Sequence, residues 1–487
     1  MNVYPRRELF YKKTRANIYR LFLLVALILG FVWLISGWTR GEIERPFTAT
    51  ATPTRTVDSY ALEGDAQFTA GNLDSAITAY REAVRLDPNN AQIWAKLARI
   101  QTYSSSLKTT DAERRARLTD ARGSIGEAAK LAPDDSTVHA IRAFVLDWNA
   151  NSSLLCTAEE LATAPTCDAV VKLLTEAEQE AVRALQLDNA NTLALAFYAE
   201  ILVDQQKWNQ ANQYILQALE REDAANLMDV HRVYAYVLET LGNYKQAIEE
   251  YDKAILISPN LTFLYLRAGA NYRRLAFGAL NEDSAAQLYE KSLEYFQKAA
   301  QINEQLQVHD PIPYLSIAKT YSQTGDYFAA ALNVQKALDY DPSNADTYGQ
   351  LGIVYFKSRN YEGSIPALKC AVRGCDAAES CEARGGCDAG DPGRTVGGLA
   401  LSANTVVYYY TYGSVLAALS RPRNNMCGEA VAVLNEVAAA FPHDPDIAGI
   451  VDAGLAICAQ VGSEPGSAAT AFPVQTEAVI PTPTPTP

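Results

Sequence analysis

The chain has 487 residues, of which 48% are apolar and 20% charged, so most of it is able to fold around hydrophobic cores. Its formal charge is −14, and residues 1–40 alone carry +6, which leaves −20 for the remainder. An acidic body disfavours non-specific nucleic-acid binding, because phosphate contacts need clustered Lys and Arg side chains. No nucleic-acid partner is therefore expected.

The N-terminal region predicts a membrane-spanning helix. Residues 21–39 read LFLLVALILGFVWLISGWT and contain no charge. As a helix they would span roughly 28 Å, close to the ~30 Å hydrocarbon core of a bilayer. The basic segment 1–20 is placed in the cytoplasm by the positive-inside rule. A cleaved signal peptide is the alternative, although small residues at the usual cleavage positions are missing directly after the apolar run. We expect a single-pass anchor in the cell membrane, inserted in the lipid bilayer through residues 21–39, with the rest of the chain outside the cytoplasm.

The stretch 57–90 predicts two helices joined by a glycine-containing turn. In the second helix, Ala76, Tyr80 and Ala83 recur at spacings of four and three, which is the stripe of one helix face. Pro88 ends this helix. The stretch is therefore a helix–turn–helix unit of 34 residues.

The same pattern returns along the chain, in four places with extra residues between the two helices. Nine units lie near 57–90, 91–135, 136–191, 192–225, 228–261, 262–305, 311–344, 345–372 and 403–443. The pattern resembles the tetratricopeptide repeat (TPR), whose signature places aromatic, Gly, Ala and Pro residues at fixed offsets. The resemblance implies an all-α fold: a TPR-type α-solenoid, or right-handed superhelix of helix–turn–helix repeats, over 57–443, preceded by one transmembrane helix.

The remaining segments differ in composition from the repeats. A Thr/Pro-rich linker at 40–56 and a Cys/Gly-rich insertion at 373–402 flank parts of the array. Residues 444–460 have one apolar face and predict a capping helix. Residues 461–487 end in alternating Pro and Thr, which predicts a disordered tail.

The resemblance also implies a surface for a partner. In the family, the first helix of each unit lines a concave groove that takes a protein or peptide. Aromatic faces beside arginine suit an extended or acidic segment. Packing against neighbouring helices is the alternative for each of these residues. The groove-facing positions of the middle and later units hold Asp229, Arg232, Tyr236, Phe263, Leu266, Arg267, Arg273, Lys319 and Ile353.

The eight cysteines fall into local groups of even number, which favours disulfides in an oxidising compartment. A zinc site is the alternative for the central cluster, but its gaps of four, five and five residues fit zinc ligands poorly. The pairing inside that cluster stays open. The candidates are Cys156 with Cys167, the cluster Cys370, Cys375, Cys381 and Cys387, and Cys427 with Cys458.

No combination of residues indicates catalysis, a metal site or a cofactor. The four histidines are scattered, and His139 and His231 occupy positions that are usually aromatic, which favours a packing role. Phosphate-binding loops and nucleophile motifs are missing from the sequence. We expect a protein that is not an enzyme.

These features predict a membrane-anchored, extracytoplasmic scaffold for protein–protein interaction, with a role in envelope assembly or secretion. Two alternatives stay open. One is an accessory subunit of an enzyme complex that matures glycans or haem proteins. The other is a glycan-binding surface protein, suggested by the tyrosine-rich run VVYYYTYG at 406–413, for which a buried helix is the competing interpretation.

Overall fold

The computed structural model describes residues 17–40, 55–157, 160, 164, 166–387 and 393–463. Most of the basic segment, the linker and the Thr/Pro tail lie outside these residues. The chain divides into two compact units, Met1–Arg55 and Thr56–Pro487. Over the described ranges the chain is helical and has no β-strand, which confirms the predicted all-α class.

The first unit contains one described helix, α1 (Ile18–Arg40), which includes the predicted segment 21–39. Its most apolar window has a mean hydropathy of 2.5, and its apolar side chains are exposed. The helix is long and apolar enough to cross a membrane, a property that it shares with signal sequences.

The second unit consists of consecutive helix pairs followed by a last helix. Within its described residues, each of the nine repeat stretches contains one pair. The pairs are α2 (Val57–Thr69) with α3 (Leu73–Leu86), α4 (Ala91–Ser105) with α5 (Asp111–Leu131), α6 (Ser136–Asn149) with α8 (Asp168–Leu187), α9 (Thr192–Asp204) with α10 (Trp208–Leu219), α11 (Met228–Thr240) with α12 (Tyr244–Ile257), α13 (Thr262–Phe277) with α14 (Glu282–Gln305), α15 (Ile312–Thr324) with α16 (Tyr327–Tyr340), α17 (Ala345–Lys357) with α18 (Tyr361–Val372), and α20 (Val406–Leu419) with α21 (Cys427–Ala440). Short helices α7 (Ser152–Leu155) and α19 (Ala377–Ala383) lie in the insertions, and α22 (Pro445–Ser463) ends the array.

Glycines let the two helices of a pair approach closely. A Cβ atom on Gly64 of α2 would lie 2.4 Å from the ring of Tyr80 on α3. The same relation joins Gly352 of α17 to Leu368 of α18. The large side chain therefore fills the space that glycine leaves, which is the packing that the repeat signature encodes.

The turns within several pairs use a glycine in the left-handed region. Gly71, Gly242 and Gly325 have φ angles of +76°, +79° and +84°. Glycine adopts this conformation without the Cβ clash that other residues suffer, so the helix ends there and the next begins within a few residues.

Within the first six pairs, helices that are far apart in sequence contact each other. One hydrophobic cluster joins buried residues from α3, α4 and α6 with residues from α11, α12 and α13. The Asn260 side chain donates to the carbonyl oxygen of Ala70 at 3.0 Å, and the Thr109 hydroxyl donates to that of His309 at 2.7 Å. The inner helices of this part therefore surround a filled centre.

The last pair and α22 form a second hydrophobic cluster together with Leu368 and Val372 of α18. Leu434 of α21 lies against Gly413 of α20 and Gly454 of α22, where a Cβ atom would lie 2.7 and 2.6 Å from it. The apolar face of α22 packs on this pair through Ile447 and Val451. This helix thus covers the end of the array, and its bounds extend three residues beyond the predicted cap.

Candidate functional site

Aromatic side chains from the inner helices meet around Tyr103 at the centre of the first six pairs. The Tyr103 ring lies 5.0 Å from that of Phe144, 5.5 Å from Trp148 and 5.3 Å from Phe263, measured between centroids. These rings come from α4, α6 and α13, which are far apart in sequence. They fill the space that an open groove would leave.

Two ion pairs lie beside the aromatic cluster. Asp229 is fully buried and accepts hydrogen bonds from the Arg99 guanidinium and the Tyr103 hydroxyl. Arg232 pairs with Glu200 through both terminal nitrogens, at 2.7 and 2.6 Å. Burial opposes ionisation of Asp229, but Arg99 and Arg232 outweigh it and hold the pKa of this carboxyl below its ordinary value. Asp229 and Arg232, both predicted to line a groove, are thus committed to contacts within the chain, and neither side chain is free to contact a partner in this structure.

A cavity of about 430 Å³ opens next to these pairs. Its walls combine aromatic rings with acidic and basic groups, the mixture that orients a polar ligand. Four of the predicted groove residues, Arg232, Tyr236, Phe263 and Arg267, lie on its wall together. The full lining is Asp147, Trp148, Ala150, Asn151, Glu200, Asp204, Arg232, Tyr236, Tyr251, Phe263 and Arg267.

Asp147 is a buried acid whose charge is not compensated. The residue is 4% exposed, and no N–H or O–H donor reaches either carboxylate oxygen among the described residues. Its carboxyl instead contacts the carboxyl of Asp204, with which it can share a proton. Burial, followed by the charges of Asp204 and Glu200, raises the pKa of Asp147 well above its ordinary value. Asp204 is reachable by solvent and accepts a hydrogen bond from the Tyr236 hydroxyl at 2.7 Å. The cavity therefore has one carboxyl at an accessible position and one deeper in the protein.

The other predicted groove residues lie away from the cavity. Leu266 packs in the cluster around Phe296, and Ile353 packs against the C-terminal cluster. Arg273 donates from Nη1 to the carbonyl oxygen of Ser316 at 3.1 Å. Lys319 is exposed.

Lys319 belongs to a small basic cluster with Arg273 and Arg274. Partial desolvation of this exposed side chain, together with the charges of the two arginines, lowers the pKa of Lys319. Within the described residues Lys319 forms no ion pair, whereas Arg274 lies 3.5 Å from a Glu239 carboxylate oxygen. A positive patch in an otherwise acidic body is suited to a negatively charged segment.

Sequence reasoning missed three acidic residues of the cavity: Asp147, Glu200 and Asp204. Each stands in a helix that is otherwise rich in apolar residues, as in TLALAFYAEILVD for α9. Glu200 and Asp204 are four residues apart and so share a helix face. Charged residues within an apolar first helix were the signal that could have indicated an internal polar site.

All eight cysteines are joined in disulfides in this structure, and the part of the chain that it describes has no free cysteine. The cluster that the sequence left open pairs between neighbours. The four bonds are Cys156–Cys167, Cys370–Cys375, Cys381–Cys387 and Cys427–Cys458. Among the described residues, no group of three or more His, Cys, Asp or Glu side chains could hold a metal ion.

The two histidines on first helices contact the second helix of their own pair. Nδ1 of His139 lies 2.6 Å from a Glu180 carboxylate oxygen, and Nδ1 of His231 lies 2.7 Å from one of Glu250. These contacts agree with a packing role.

The tyrosine-rich run forms the start of α20, and three of its four tyrosines are buried. The Tyr408 hydroxyl donates to Asp346 at 2.8 Å, and the Tyr409 hydroxyl donates to the carbonyl oxygen of Leu399 at 2.6 Å. Tyr412 is also buried. Rings in such positions offer no free face on which a sugar could stack, which favours the interpretation as a buried helix.

Comparisons with known families match three stretches of the chain. A family described as TPR repeat matches residues 64–101, and two families described as tetratricopeptide repeat match residues 233–261 and 315–379. A comparison with curated proteins gives no significant match.

Solved structures similar to this chain include a monomeric mutant of IFIT1 with m7Gppp-AAAA in the anti conformation of the cap, at 12% identity and a TM-score of 0.50, covering 84% of this chain and 82% of that one. A human IFIT1 dimer with PPP-AAAA has 15% identity and a TM-score of 0.49, covering 85% and 92%. PilW, a type IV pilus biogenesis factor, has 17% identity and a TM-score of 0.35, covering 41% and 84%.

The chain therefore contains tetratricopeptide repeats, and its second unit has the α-solenoid fold of proteins built from them. Such arrays are scaffolds for protein–protein interaction, and the predicted repeat architecture is confirmed.

Proposed function

We propose that this protein is a membrane-anchored, extracytoplasmic scaffold that holds a protein partner on the inner surface of its later repeats, in envelope assembly or secretion. The observation that carries the proposal is the basic cluster of Arg273, Arg274 and Lys319, of which the last two are exposed. Arg273 and Arg274 lie near the end of α13, in the last of the six pairs that surround the filled centre, and Lys319 lies on α15 of the next pair. Arg273 and Lys319 were predicted as groove residues.

The membrane part of the proposal is supported by α1 and the sequence before it. The helix is apolar over a length that matches a bilayer, and basic residues precede it. Four disulfides favour an oxidising space for the array. These three features agree on an orientation with the N-terminus in the cytoplasm.

The positive charge of the basic cluster indicates which kind of partner it would bind. Lys319 has no carboxylate partner among the described residues, so an acidic segment can pair with it without breaking an internal ion pair. Tetratricopeptide arrays offer extended peptides a continuous surface along successive first helices. We therefore assign an acidic, extended segment of a protein as the partner of this surface.

Site-specific photo-crosslinking in intact cells tests the proposal. A crosslinking amino acid at Gln323, which is exposed and one helical turn from Lys319, is expected to capture a partner with an acidic segment. The same group at Gln297, exposed on the second helix α14, is the matched control and should capture far less.

Charge reversal then tests the assigned chemistry. Lys319→Glu should reduce capture at position 323 by about fivefold or more, because it opposes the partner's charge. Lys298→Glu, on an exposed part of α14, should leave capture unchanged. Equal capture from both faces would contradict the proposal. If the captured protein is a glycan- or haem-maturation enzyme, the accessory-subunit alternative replaces the assembly role.

A further inference from the structure

The cavity beside Tyr103 is built around guanidinium groups that pair with acids and lie over aromatic rings. Arg232 forms its bidentate pair with Glu200, and its Cζ lies 5.8 Å from the centre of the Trp148 ring. Each such pair combines two charge-assisted hydrogen bonds with the attraction between a cation and a ring face.

Arg267 of α13 also pairs with an acid and lies over an aromatic ring, through one nitrogen rather than two. Its Nη2 lies 3.1 Å from a Glu239 carboxylate oxygen, and its Cζ lies 5.0 Å from the centre of the Tyr236 ring. The Arg267 Nε donates to the Tyr251 hydroxyl at 3.2 Å. The two arginines on the cavity wall are therefore both committed to acids other than Asp147.

Asp147 has the surroundings of these acids but lacks the arginine. It lines the same cavity next to Trp148, and among the described residues its carboxyl contacts that of Asp204 rather than a guanidinium donor. A buried carboxylate without a hydrogen-bond donor costs several kcal/mol of folding free energy in general. Asp147 therefore favours its neutral form in the free protein, and a cation bound from outside would stabilise the ionised form.

We infer that this cavity is a binding site for a guanidinium group of an external ligand, with Asp147 as its bidentate acceptor and Asp204 as a second carboxylate at the accessible end. The inference rests on the cavity alone and does not depend on the proposed scaffold function. The shared chemistry is a guanidinium cation, carried either by a small free compound or by an arginine side chain in a peptide.

The lining favours a guanidinium over a metal ion or a plain ammonium. The described residues bring no three metal-ligating side chains together, although three acids line the cavity. A guanidinium is planar, matches the two oxygens of a carboxylate, and stacks on aromatic rings, whereas an ammonium is a strongly hydrated point charge. Trp148, Tyr236 and Phe263 supply such rings on the wall.

The raised pKa of Asp147 agrees with this assignment. Burial and the neighbouring acids Asp204 and Glu200 oppose its ionisation in the free protein. A guanidinium placed beside it would stabilise the ionised form. The wall next to Asp147 includes Ala150 and Asn151, which follow the end of α6.

Ligand binding to the full-length protein in detergent micelles tests the inference. Ethylguanidinium represents a free compound, and Nα-acetyl-arginine amide represents a peptide-borne side chain. Nα-acetyl-citrulline amide is the uncharged control of the same shape. Titration to about 10 mM, followed by ligand-observed NMR, covers the weak affinity expected of such small molecules. We expect binding of at least one guanidinium probe and none of the citrulline probe.

Two variants test whether the guanidinium probe binds at Asp147. Asp147→Asn should lower the affinity for the guanidinium probe by about tenfold or more, because a neutral amide cannot replace a bidentate carboxylate. Asp310→Asn, the same change at another buried acid outside the cavity, should bind as the wild type does. Circular dichroism of each variant checks that the helices are retained. Absence of guanidinium binding, equal binding of citrulline, or unchanged binding by a folded Asp147→Asn variant would each overturn the inference.

Discussion

Buried acids in this array differ in how their charge is compensated. That difference determines how each acid affects the stability of the fold at a given pH. Asp229 is surrounded by Arg99 and Arg232 and remains ionised, as its lowered pKa indicates. Among the described residues, the donors to Asp310 are neutral: the backbone N–H of Ile312 at 3.0 Å and the side-chain amide of Asn303 at 3.3 Å. Burial outweighs these bonds and raises its pKa to about 6 from 3.8. The unfolded chain therefore releases this proton more readily than the folded chain.

The stability contributed by Asp310 is expected to fall as the pH rises. Between about pH 4 and pH 6 the folded state binds the proton more often than the unfolded state, so the free energy of unfolding decreases across this window and levels off above it. The pKa difference corresponds to about 3 kcal/mol. Asp310→Asn removes the titrating group, so at about pH 8 the variant should be more stable than the wild type by up to that amount, and at about pH 4 by much less.

Urea unfolding of the full-length protein at the two pH values, followed by circular dichroism, measures this effect. Asp452→Asn, at an exposed position on α22, is the control and should not change the pH dependence. The amide variant keeps an acceptor for the Ile312 N–H, and Asn303 has an unpartnered carbonyl oxygen that can accept from the new amide. A variant less stable than the wild type at the higher pH would show that Asp310 is needed as a carboxylate.

At the scale of elements, the repeat pattern in the sequence was sufficient to predict the helix pairs. Alanine and aromatic spacing, turn glycines and the Asp-Pro ends are local signals, and helix formation and pairing respond to them locally. The disulfide partners inside 370–387 were not predictable, because several pairings satisfy the same spacing and only the backbone path selects one. For α22, the apolar face is a local signal in the sequence, whereas its packing against the last pair depends on the backbone path.

The Cys427–Cys458 bond is expected to hold α22 on the last pair. It closes a segment with a sequence separation of 31 residues, so its loss should cost about 3 to 4 kcal/mol on the chain-entropy account. In the double variant Cys427→Ser, Cys458→Ser, hydrogen exchange should accelerate in Pro445–Ser463 and leave the first pairs unchanged.

A second double variant provides the comparison for this element. Cys156→Ser with Cys167→Ser removes a bond of separation 11 in the third pair and should leave exchange in α22 at the wild-type rate. Faster exchange in α22 of both variants would mean that the bonds act on the whole array rather than on the element they join.

At the scale of the second unit, the sequence did not predict that the early repeats close on a filled centre. Each repeat rotates slightly relative to the last, and the contact between α4 and α11 depends on the sum of those rotations, which local patterns do not specify. Four of the residues predicted to face the groove, Arg232, Tyr236, Phe263 and Arg267, line one cavity together, and their role in binding a partner stays a prediction. The other residues of that cavity, including Asp147 and Glu200, come from repeats up to three units away and could be found only in three dimensions.

Gly71 offers a test of the contact between the first and fifth pairs. A Cβ atom there would lie 2.5 Å from the carbonyl oxygen of Asn260, whose side chain binds Ala70 across the contact. Gly242 stands at the equivalent turn with nearly the same φ, +79° against +76°, and has nothing within 4 Å of its Cβ position. The two glycines therefore carry the same conformational demand and differ in whether a distant repeat lies against them.

Gly242→Ala should cost about 1 to 2 kcal/mol, because alanine is strained in the left-handed region. Gly71→Ala carries the same strain and in addition forces Asn260 away, which should cost about 1 to 3 kcal/mol more. Urea unfolding compares the stabilities, and hydrogen exchange locates the change: only Gly71→Ala should accelerate exchange at the start of α13, next to Asn260. Equal costs and equal exchange in the two variants would mean that the first and fifth pairs do not press on each other in solution.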